Sequence, residues 1–191
     1  MIVTVATANP GKLRELASLI GPDLDLRAAP DDYPSPPEEG DSYLANARLK
    51  ARALWKRMNG AALADDSGLE VDALSGRPGL LSARYAPSAE ARNRRLLEEL
   101  GERRGDARRA RFRTALVLVL ADGREISAEG TCEGQITAAP RGDGGFGYDP
   151  VFLFPALGRT FAELSAEEKN RCSARAAAVR ALLAELAKIA D

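Results

Sequence analysis

Residues 1–19 read MIVTVATANPGKLRELASL, and this stretch decides the fold. Ile2–Ala6 is a short run of apolar and β-branched residues, which predicts a buried strand. Thr7–Lys12 contains asparagine, proline and glycine, which predicts a turn. Between Lys12 and Leu19 the leucines recur at helical spacing, which predicts a helix. A strand followed directly by a helix is typical of α/β proteins.

The rest of the chain continues as a mixture of helices and strands. Further helices are predicted over Tyr43–Met58, over 88–101 and over Ala174–Ile189, and short strands over Ala61–Ala64 and Pro150–Phe154. Phe112–Ala121 and Glu125–Gly134 have the spacing of an antiparallel pair joined by the turn Ala121-Asp-Gly-Arg124. We therefore expect a mixed α/β fold with one long hairpin, in a single domain of residues 1–191.

Composition excludes several classes of protein. The chain has 27 basic and 28 acidic residues, so it lacks the positive charge typical of nucleic-acid binding. It has no histidine and only two cysteines, so we expect neither a His/Cys zinc site nor a histidine-dependent triad. No apolar run reaches the roughly 18 residues of a membrane span, and the N-terminus has no signal-peptide pattern. We expect a cytoplasmic protein with reduced thiols and no nucleic acid or membrane partner.

The turn Thr7-Ala-Asn-Pro-Gly-Lys12 is a candidate phosphate site. Where a strand runs into a helix, backbone N–H groups point outward and bind anions, and Lys12 adds a positive charge. An ordinary strand-to-helix turn explains the same residues. Lysine is rare in this chain: only five of the 27 basic residues are lysines. Three of these, Lys12, Lys50 and Lys169, lie in the motifs described here.

Acidic residues cluster at two places. Glu38 and Glu39 lie in a loop of prolines and glycine, and Asp65-Asp66 follow the short strand Ala61–Ala64. Adjacent acids at the end of a strand are unfavourable unless a positive charge compensates them, and Mg²⁺ bridging carboxylates and phosphate oxygens does so. A helix N-cap or an Asx turn at Asp66-Ser67-Gly68 is the alternative. The acids alone leave both interpretations open.

Two further segments have the composition of a ligand site. In Gly144-Gly-Phe-Gly-Tyr-Asp-Pro150, glycines around Phe146 let the backbone approach a ligand and leave the ring free to stack on a planar base. Ser173 is a candidate N-cap for the last helix. It would place Lys169 and Arg175 near the positive end of that helix, where they would complement an anion or bind the edge of a base.

Together these segments resemble one family over essentially the whole chain, the non-canonical purine (inosine and xanthosine) triphosphate pyrophosphatases. The matching segments are Thr7-Ala-Asn-Pro-Gly-Lys12, Asn46-Ala-x-x-Lys50-Ala, Ala64-Asp-Asp-Ser-Gly-Leu69, Pro78-Gly-x-x-Ser-Ala-Arg-Tyr85, Gly144-Gly-Phe-Gly-Tyr-Asp-Pro150 and Lys169…Ser173-x-Arg175. Each is short, and their occurrence in the family's order makes the resemblance specific.

The resemblance implies an elongated, two-lobed, ITPase-like α/β fold with a central mixed sheet, flanking helices and a long antiparallel hairpin, usually as a homodimer. It implies Mg²⁺-dependent hydrolysis of dITP, ITP and XTP to the monophosphate and pyrophosphate, which cleanses the nucleotide pool. In the family's pattern Asp66 is the catalytic base and, with Glu38, a metal ligand. The substrate-binding residues it implies are Thr7, Ala8, Asn9, Pro10, Gly11, Lys12 and Lys50 at the triphosphate, Ser67, and Phe146, Gly147, Tyr148, Asp149, Lys169 and Arg175 at the base and sugar.

The chain departs from the family's pattern at Ala45, where the family usually has Glu, and at Ala174, where it usually has His. Two alternatives are therefore kept. One is a nucleotide-binding protein with weak or no turnover, against which the acids Glu38, Asp65 and Asp66 argue. The other is a septum-inhibitor-type pyrophosphatase that acts on canonical or modified pyrimidine triphosphates, against which the Gly-Phe-Gly-Tyr-Asp loop argues.

Overall fold

The computed structural model describes residues 1–7 and 9–190. The α-helices in this part of the chain are α1 (Pro10–Ile20), α2 (Tyr43–Met58), α3 (Ala89–Leu100), α4 (Ala166–Cys172) and α5 (Ala174–Ala190). The strands are β1 (Ile2–Val5), β2 (Asp25–Ala28), β3 (Ala62–Val71), β4 (Arg109–Val119), β5 (Glu125–Ile136), β6 (Phe152–Phe154) and β7 (Arg159–Thr160). Their order in the sheet is β2-β1-β3-β4-β5-β6-β7. β1 is parallel to β2 and β3, whereas β6 is antiparallel to β5 and β7, so the predicted mixed α/β fold is confirmed.

The chain forms two compact units. Unit 1 comprises Met1–Asp66, Thr114–Gly130 and Ala174–Asp191, and unit 2 comprises Ser67–Arg113 and Thr131–Ser173. Within the described residues, no helix has both the length and the apolar character needed to cross a membrane. The assignment of residues 1–191 to a single domain remains a prediction.

The buried side chains of unit 1 follow the strand period of two residues and the helix period of three to four residues. Side chains two residues apart on the strands are buried together, as are side chains three or four apart on the helices. The pairs are Val3 and Val5 of β1, Leu16 and Ile20 of α1, Leu116 and Leu118 of β4, and Val179 and Leu182 of α5. Gly130 of β5 lies so close to the start of α5 that a Cβ there would be 2.1 Å from the carbonyl oxygen of Ala174. Only glycine at this position lets the start of α5, which carries Arg175, lie so close to β5.

The long hairpin is confirmed, with strands slightly longer than predicted. β4 and β5 are neighbours in the sheet. In the turn between them, Leu120 N donates to Arg124 O at 2.8 Å and Gly123 N donates to Leu120 O at 2.9 Å. Strands joined by so short a turn are antiparallel.

Unit 2 has an aromatic core. Phe152 and Phe161 are buried, their ring centroids lie 4.9 Å apart, and Phe112 packs 4.5 Å from Phe152. The helix α4 in this unit was not predicted, because its seven residues contain too few apolar positions to show a period. A capping box marks its start: the Ser165 side chain accepts from Glu168 N, and the Glu168 side chain accepts from Ser165 N. α4 carries Lys169 in its last turn.

Candidate active site

β3 carries Asp65 and Asp66 in its interior, so the prediction that the strand ends before them is wrong. The strand continues to Val71, and both aspartates are buried, with 2% and 6% of their surface exposed. Successive side chains of a strand point to opposite faces, so the two carboxylates face different surroundings. Each is matched by its own cations, and this neutralisation allows the strand to continue through two adjacent acids.

Asp65 lies between two cations of unit 1. Lys12 Nζ is 2.8 Å from Asp65 Oδ1, and Arg175 donates to Oδ2 from Nη2 at 2.9 Å and from Nε at 3.1 Å. The remaining arm of the Arg175 guanidinium pairs with Glu15 of α1. Burial by itself raises the pKa of Asp65, but Lys12 and Arg175 together lower it far below its ordinary value. Asp65 is therefore ionised and holds both cations in place.

Asp66 lies on the other side of β3, against helix α2. Lys50 Nζ donates to Asp66 Oδ1 at 2.9 Å and to Glu38 Oε1 at 3.0 Å. One turn earlier on α2, Asn46 Nδ2 donates to Asp66 Oδ2 at 3.3 Å, and Asn46 Oδ1 accepts from Gly40 N at 2.8 Å. Asn46 thus holds both Asp66 and the loop that carries Glu38. Burial raises the pKa of Asp66 even though Lys50 lowers it.

The predicted metal ligands Glu38 and Asp66 converge on one point, which is the Lys50 ammonium. In residues 1–7 and 9–190 there is no group of three or more His, Cys, Asp or Glu side chains able to hold a metal ion. Mg²⁺ in nucleotide sites is commonly bound by one or two carboxylates, with phosphate oxygens and water as its other ligands. Two convergent carboxylates therefore fit a metal that binds together with a triphosphate.

The turn before α1 is already capped by side chains. Asn9 Oδ1 accepts from Gly11 N at 2.8 Å and from Lys12 N at 3.3 Å, and Thr7 Oγ1 accepts from Asn9 N at 3.1 Å. These backbone groups were predicted to bind phosphate, and a phosphate would have to displace the Asn9 carboxamide to reach them. Ala8 lies outside the described residues, and Pro10 begins the helix.

The glycine-rich loop of unit 2 is organised by Asp149. Asp149 Oδ2 accepts from Phe146 N at 2.8 Å and from Lys169 Nζ at 2.5 Å, and Lys169 Nζ lies 4.8 Å from the centroid of the Phe146 ring. Gly145 has a φ of +69°, and a Cβ there would lie 2.1 Å from Asp149 Oδ2. Three of the predicted base-binding residues are thus in mutual contact, and the loop requires glycine at 145.

Other predicted substrate contacts have structural partners. Tyr148 is 5% exposed, its hydroxyl donates to Ser82 O at 2.9 Å, and burial raises its pKa well above the ordinary value. Gly147 O accepts from Asn93 Nδ2 at 3.1 Å, and Ser67 is half-buried in β3. A cavity of about 550 Å³ lies between α3 and this loop, and Phe146 and Gly147 contribute to its wall.

The five lysines fall into two groups according to their partners. Lys12, Lys50 and Lys169 each pair with a buried aspartate, whereas Lys56 and Lys188 are exposed. Sequence reasoning placed Asn46 in a family-like segment without giving it a role, missed Glu15, and left the role of Asp65 open. Asn46 had a signal, because it precedes Lys50 by one helical turn on the face that buries Ala47 and Ala51. Glu15 had none, because its partner Arg175 is 160 residues away.

The mixed sheet, and the buried pairing of lysine and arginine with carboxylates in each unit, define the class of protein: a mixed α/β protein with buried ion pairs. The chain belongs to the Ham1 family, whose model matches residues 3–185. It is 49% identical to a dITP/XTP pyrophosphatase of Thermus thermophilus, covering 96% of this chain and 90% of the relative. It is 46% identical to a dITP/XTP pyrophosphatase of Geobacillus kaustophilus, covering 94% and 91%.

Two solved structures share the fold. The Ham1 protein of Staphylococcus aureus has a TM-score of 0.86 at 37% identity, covering 99% of this chain and 100% of the other. The nucleoside-triphosphatase / dITP/XTP pyrophosphatase of Mycobacterium abscessus has a TM-score of 0.75 at 41% identity, covering 96% and 99%.

Proposed function

We propose that this protein is an enzyme that hydrolyses dITP, XTP and ITP to the monophosphate and pyrophosphate with Mg²⁺ as cofactor. The relatives named dITP/XTP pyrophosphatase, at 46% and 49% identity, support the reaction and the substrate class. The observation that carries the proposal is the position of the Lys50 ammonium between Glu38 and Asp66. It brings a cation for phosphate and two acids for metal and water to one place.

Asp66 is the proposed catalytic base. A carboxylate can accept a proton from an attacking water, and in this structure Lys50 and Asn46 each hold one of its oxygens. When water attacks the α-phosphorus, its proton passes to Asp66, the bond to the bridging oxygen breaks and pyrophosphate leaves. A bound Mg²⁺, held by Glu38 and Asp66, would neutralise charge on the triphosphate.

Lys12 and Lys50 are the proposed triphosphate contacts, with the turn of residues 7–12. Asp65 supports Lys12 at 2.8 Å, which orients its ammonium. The base and sugar are proposed to bind at Phe146–Asp149 and Lys169, where the ring can stack on a purine and the lysine offers only donors. Arg175 remains a proposed base contact, although its contacts with Asp65 and Glu15 favour a structural role.

The test is pyrophosphate release from a panel of dITP, XTP, ITP and pyrimidine triphosphates, with and without Mg²⁺. We expect release from the three purine nucleotides, dependent on the metal. Nucleotide binding without release on any substrate would favour the binding-protein alternative. Faster release from pyrimidine nucleotides would favour the septum-inhibitor-type alternative.

We also propose a cytoplasmic homodimer that binds neither nucleic acid nor membranes. Both cysteines are free, Cys132 buried and Cys172 half-buried, which suits a reducing compartment. The net charge of −1 gives no general attraction to nucleic acid. The dimer rests on the family resemblance, and light scattering of the purified protein tests it.

A further inference from the structure

Lys50 holds the position that a divalent cation would need. Its side chain is only 7% exposed, and its ammonium donates to Glu38 Oε1 at 3.0 Å and to Asp66 Oδ1 at 2.9 Å. These are the two carboxylates proposed as metal ligands. An ammonium at hydrogen-bond distance from both occupies their lone pairs and repels a second cation at the same point.

The two carboxylates do not depend on Lys50 alone for their position. Asn46 donates to the second oxygen of Asp66 and accepts from the Gly40 backbone, two residues beyond Glu38. Gly40 also lies against the first turn of α2, where a Cβ would be 2.8 Å from the Cβ of Ala45. Asn46 therefore links Asp66 to the loop that carries Glu38 without involving Lys50.

The local charge also depends on Lys50. With the ammonium in place, Glu38, Asp66 and Lys50 sum to one negative charge, and without it the two acids present two. A lysine side chain is flexible enough to leave this position, and a triphosphate is a stronger anionic partner than either carboxylate. Mg²⁺ that binds through one or two carboxylates takes its other ligands from phosphates.

We propose that Lys50 is a place-holding cation. In the nucleotide-free protein it neutralises Glu38 and Asp66 and keeps divalent metal affinity low. On substrate binding its ammonium transfers to the triphosphate and releases the two carboxylates to the metal that arrives with it. This inference rests on the proposed function, because it assumes a metal-bound triphosphate as the ligand. It predicts that metal and nucleotide bind together and that the free enzyme holds little metal.

The test is a Mn²⁺ titration of the nucleotide-free protein, with free Mn²⁺ followed by electron paramagnetic resonance. Lys50→Gln should bind Mn²⁺ at least about tenfold more tightly than the wild type, because a unit positive charge is removed at contact distance. Lys12→Gln is the matched control: it removes the same charge from the neighbouring pair with Asp65, and its Mn²⁺ affinity should rise much less than that of Lys50→Gln. Adding Glu38→Gln to Lys50→Gln should abolish the gain.

Equal Mn²⁺ affinity of Lys50→Gln and wild type would overturn the proposal, as would an equal gain in Lys12→Gln. If Lys50→Gln does not fold, the Mn²⁺ affinity of the wild type decides. A Kd in the low micromolar range without nucleotide contradicts a place-holding lysine. A weaker affinity supports it. Hydrolysis is not measured in this experiment. If no nucleotide is hydrolysed, the proposed function is wrong, but the Mn²⁺ result is unaffected. If the Mn²⁺ affinities are equal, the place-holding role is wrong, but the proposed function is unaffected.

Discussion

Asp66 is fixed by Lys50 on one oxygen and by Asn46 on the other. Asp66→Asn keeps the size of the side chain but removes the carboxylate charge of the proposed base and metal ligand. We expect its kcat for dITP to fall by about 10²-fold or more, as for the loss of a general base. Steady-state pyrophosphate release measures this.

The control for that variant is Asp72→Asn, which removes a carboxylate paired with Arg111 on the surface of unit 2. It should retain wild-type kcat. Thermal unfolding should show that Asp66→Asn is folded, and near-normal turnover of a folded Asp66→Asn would exclude Asp66 as the base.

The sequence indicated which single residues belong to the candidate site, but not which residues they pair with in the structure. Rare lysines in family-like motifs indicated Lys12, Lys50 and Lys169, and each of them lies next to an acid. The pairing of Arg175 with Asp65 joins residues 110 positions apart, and no local pattern carries that information. The sequence therefore could not show that Arg175, which was assigned to the nucleobase, contacts Asp65.

At the scale of elements, the sequence predicts helices better than the extent of β3. Helix α2 has the predicted bounds Tyr43–Met58, because apolar spacing is a local signal, and the structure shows that the Ser42 side chain caps its start. The strand β3 was predicted to stop at Ala64, because Asp-Asp-Ser-Gly is typical of a turn. Burial against cations from α1, α2 and α5 overrides that local preference, which only the tertiary structure reveals.

The glycine-rich loop allows a matched test of its geometry. Gly145 and Gly147 have similar positive φ values, +69° and +65°, but a Cβ at 145 would meet Asp149 Oδ2 at 2.1 Å, whereas a Cβ at 147 meets nothing within 4 Å. Gly147→Ala should cost about 1–2 kcal/mol in unfolding free energy from backbone strain. Gly145→Ala should cost about 1–3 kcal/mol more from the added clash.

Urea unfolding measures both costs. Because the clash at 145 also displaces Asp149 from Phe146 and Lys169, Gly145→Ala should raise the KM for dITP, and Gly147→Ala should raise it less. Equal stabilities and equal KM values for the two variants would show that the contact between Gly145 and Asp149 does not shape the loop.

At the scale of the whole molecule, the buried pairing of Asp65 should appear in acid stability. The pKa of Asp65 is lowered on folding by Lys12 and Arg175. A group with a depressed folded pKa adds stability above its unfolded pKa of about 4, and this contribution is lost as the pH falls below that value. Asp65→Asn lacks the contribution at every pH. We expect Asp65→Asn to be less stable than the wild type at neutral pH, and the difference in unfolding free energy to narrow toward about pH 3.

Urea unfolding at both pH values measures the difference. Glu185→Gln is the control, because it removes an exposed carboxylate paired with Lys188 on α5 and should change stability little at either pH. A difference between Asp65→Asn and the wild type that is the same at both pH values would contradict the ion-pair assignment.

Selectivity between purine bases depends on which hydrogen-bond donors of the protein face the edge of the base. A base with oxygen at position six presents an acceptor there, whereas adenine presents a donor amino group. Lys169 carries only donors, and Asp149 and Phe146 fix its position. We expect kcat/KM for dITP or XTP to exceed that for ATP by at least about a hundredfold, the product of roughly two such contacts. Comparable values for ATP and dITP would refute a role in cleansing the nucleotide pool, even if pyrophosphate is released.

A variant of Arg175 tests whether this residue contributes to the ratio of kcat/KM for dITP to kcat/KM for ATP. Its Nε and Nη2 contact Asp65 and its third arm contacts Glu15, so the structure favours a residue that positions Asp65 and Lys12. Arg175→Lys keeps the charge but loses the planar guanidinium that contacts Asp65 Oδ2 with two nitrogens and Glu15 with the third. It should therefore raise KM for dITP and ATP together and lower the unfolding temperature, while the ratio of their kcat/KM values stays constant. Alternatively, the ratio of kcat/KM for dITP to that for ATP falls by up to about tenfold, which corresponds to one hydrogen bond, and the unfolding temperature does not change. That result would place the Arg175 guanidinium on the six-oxo group.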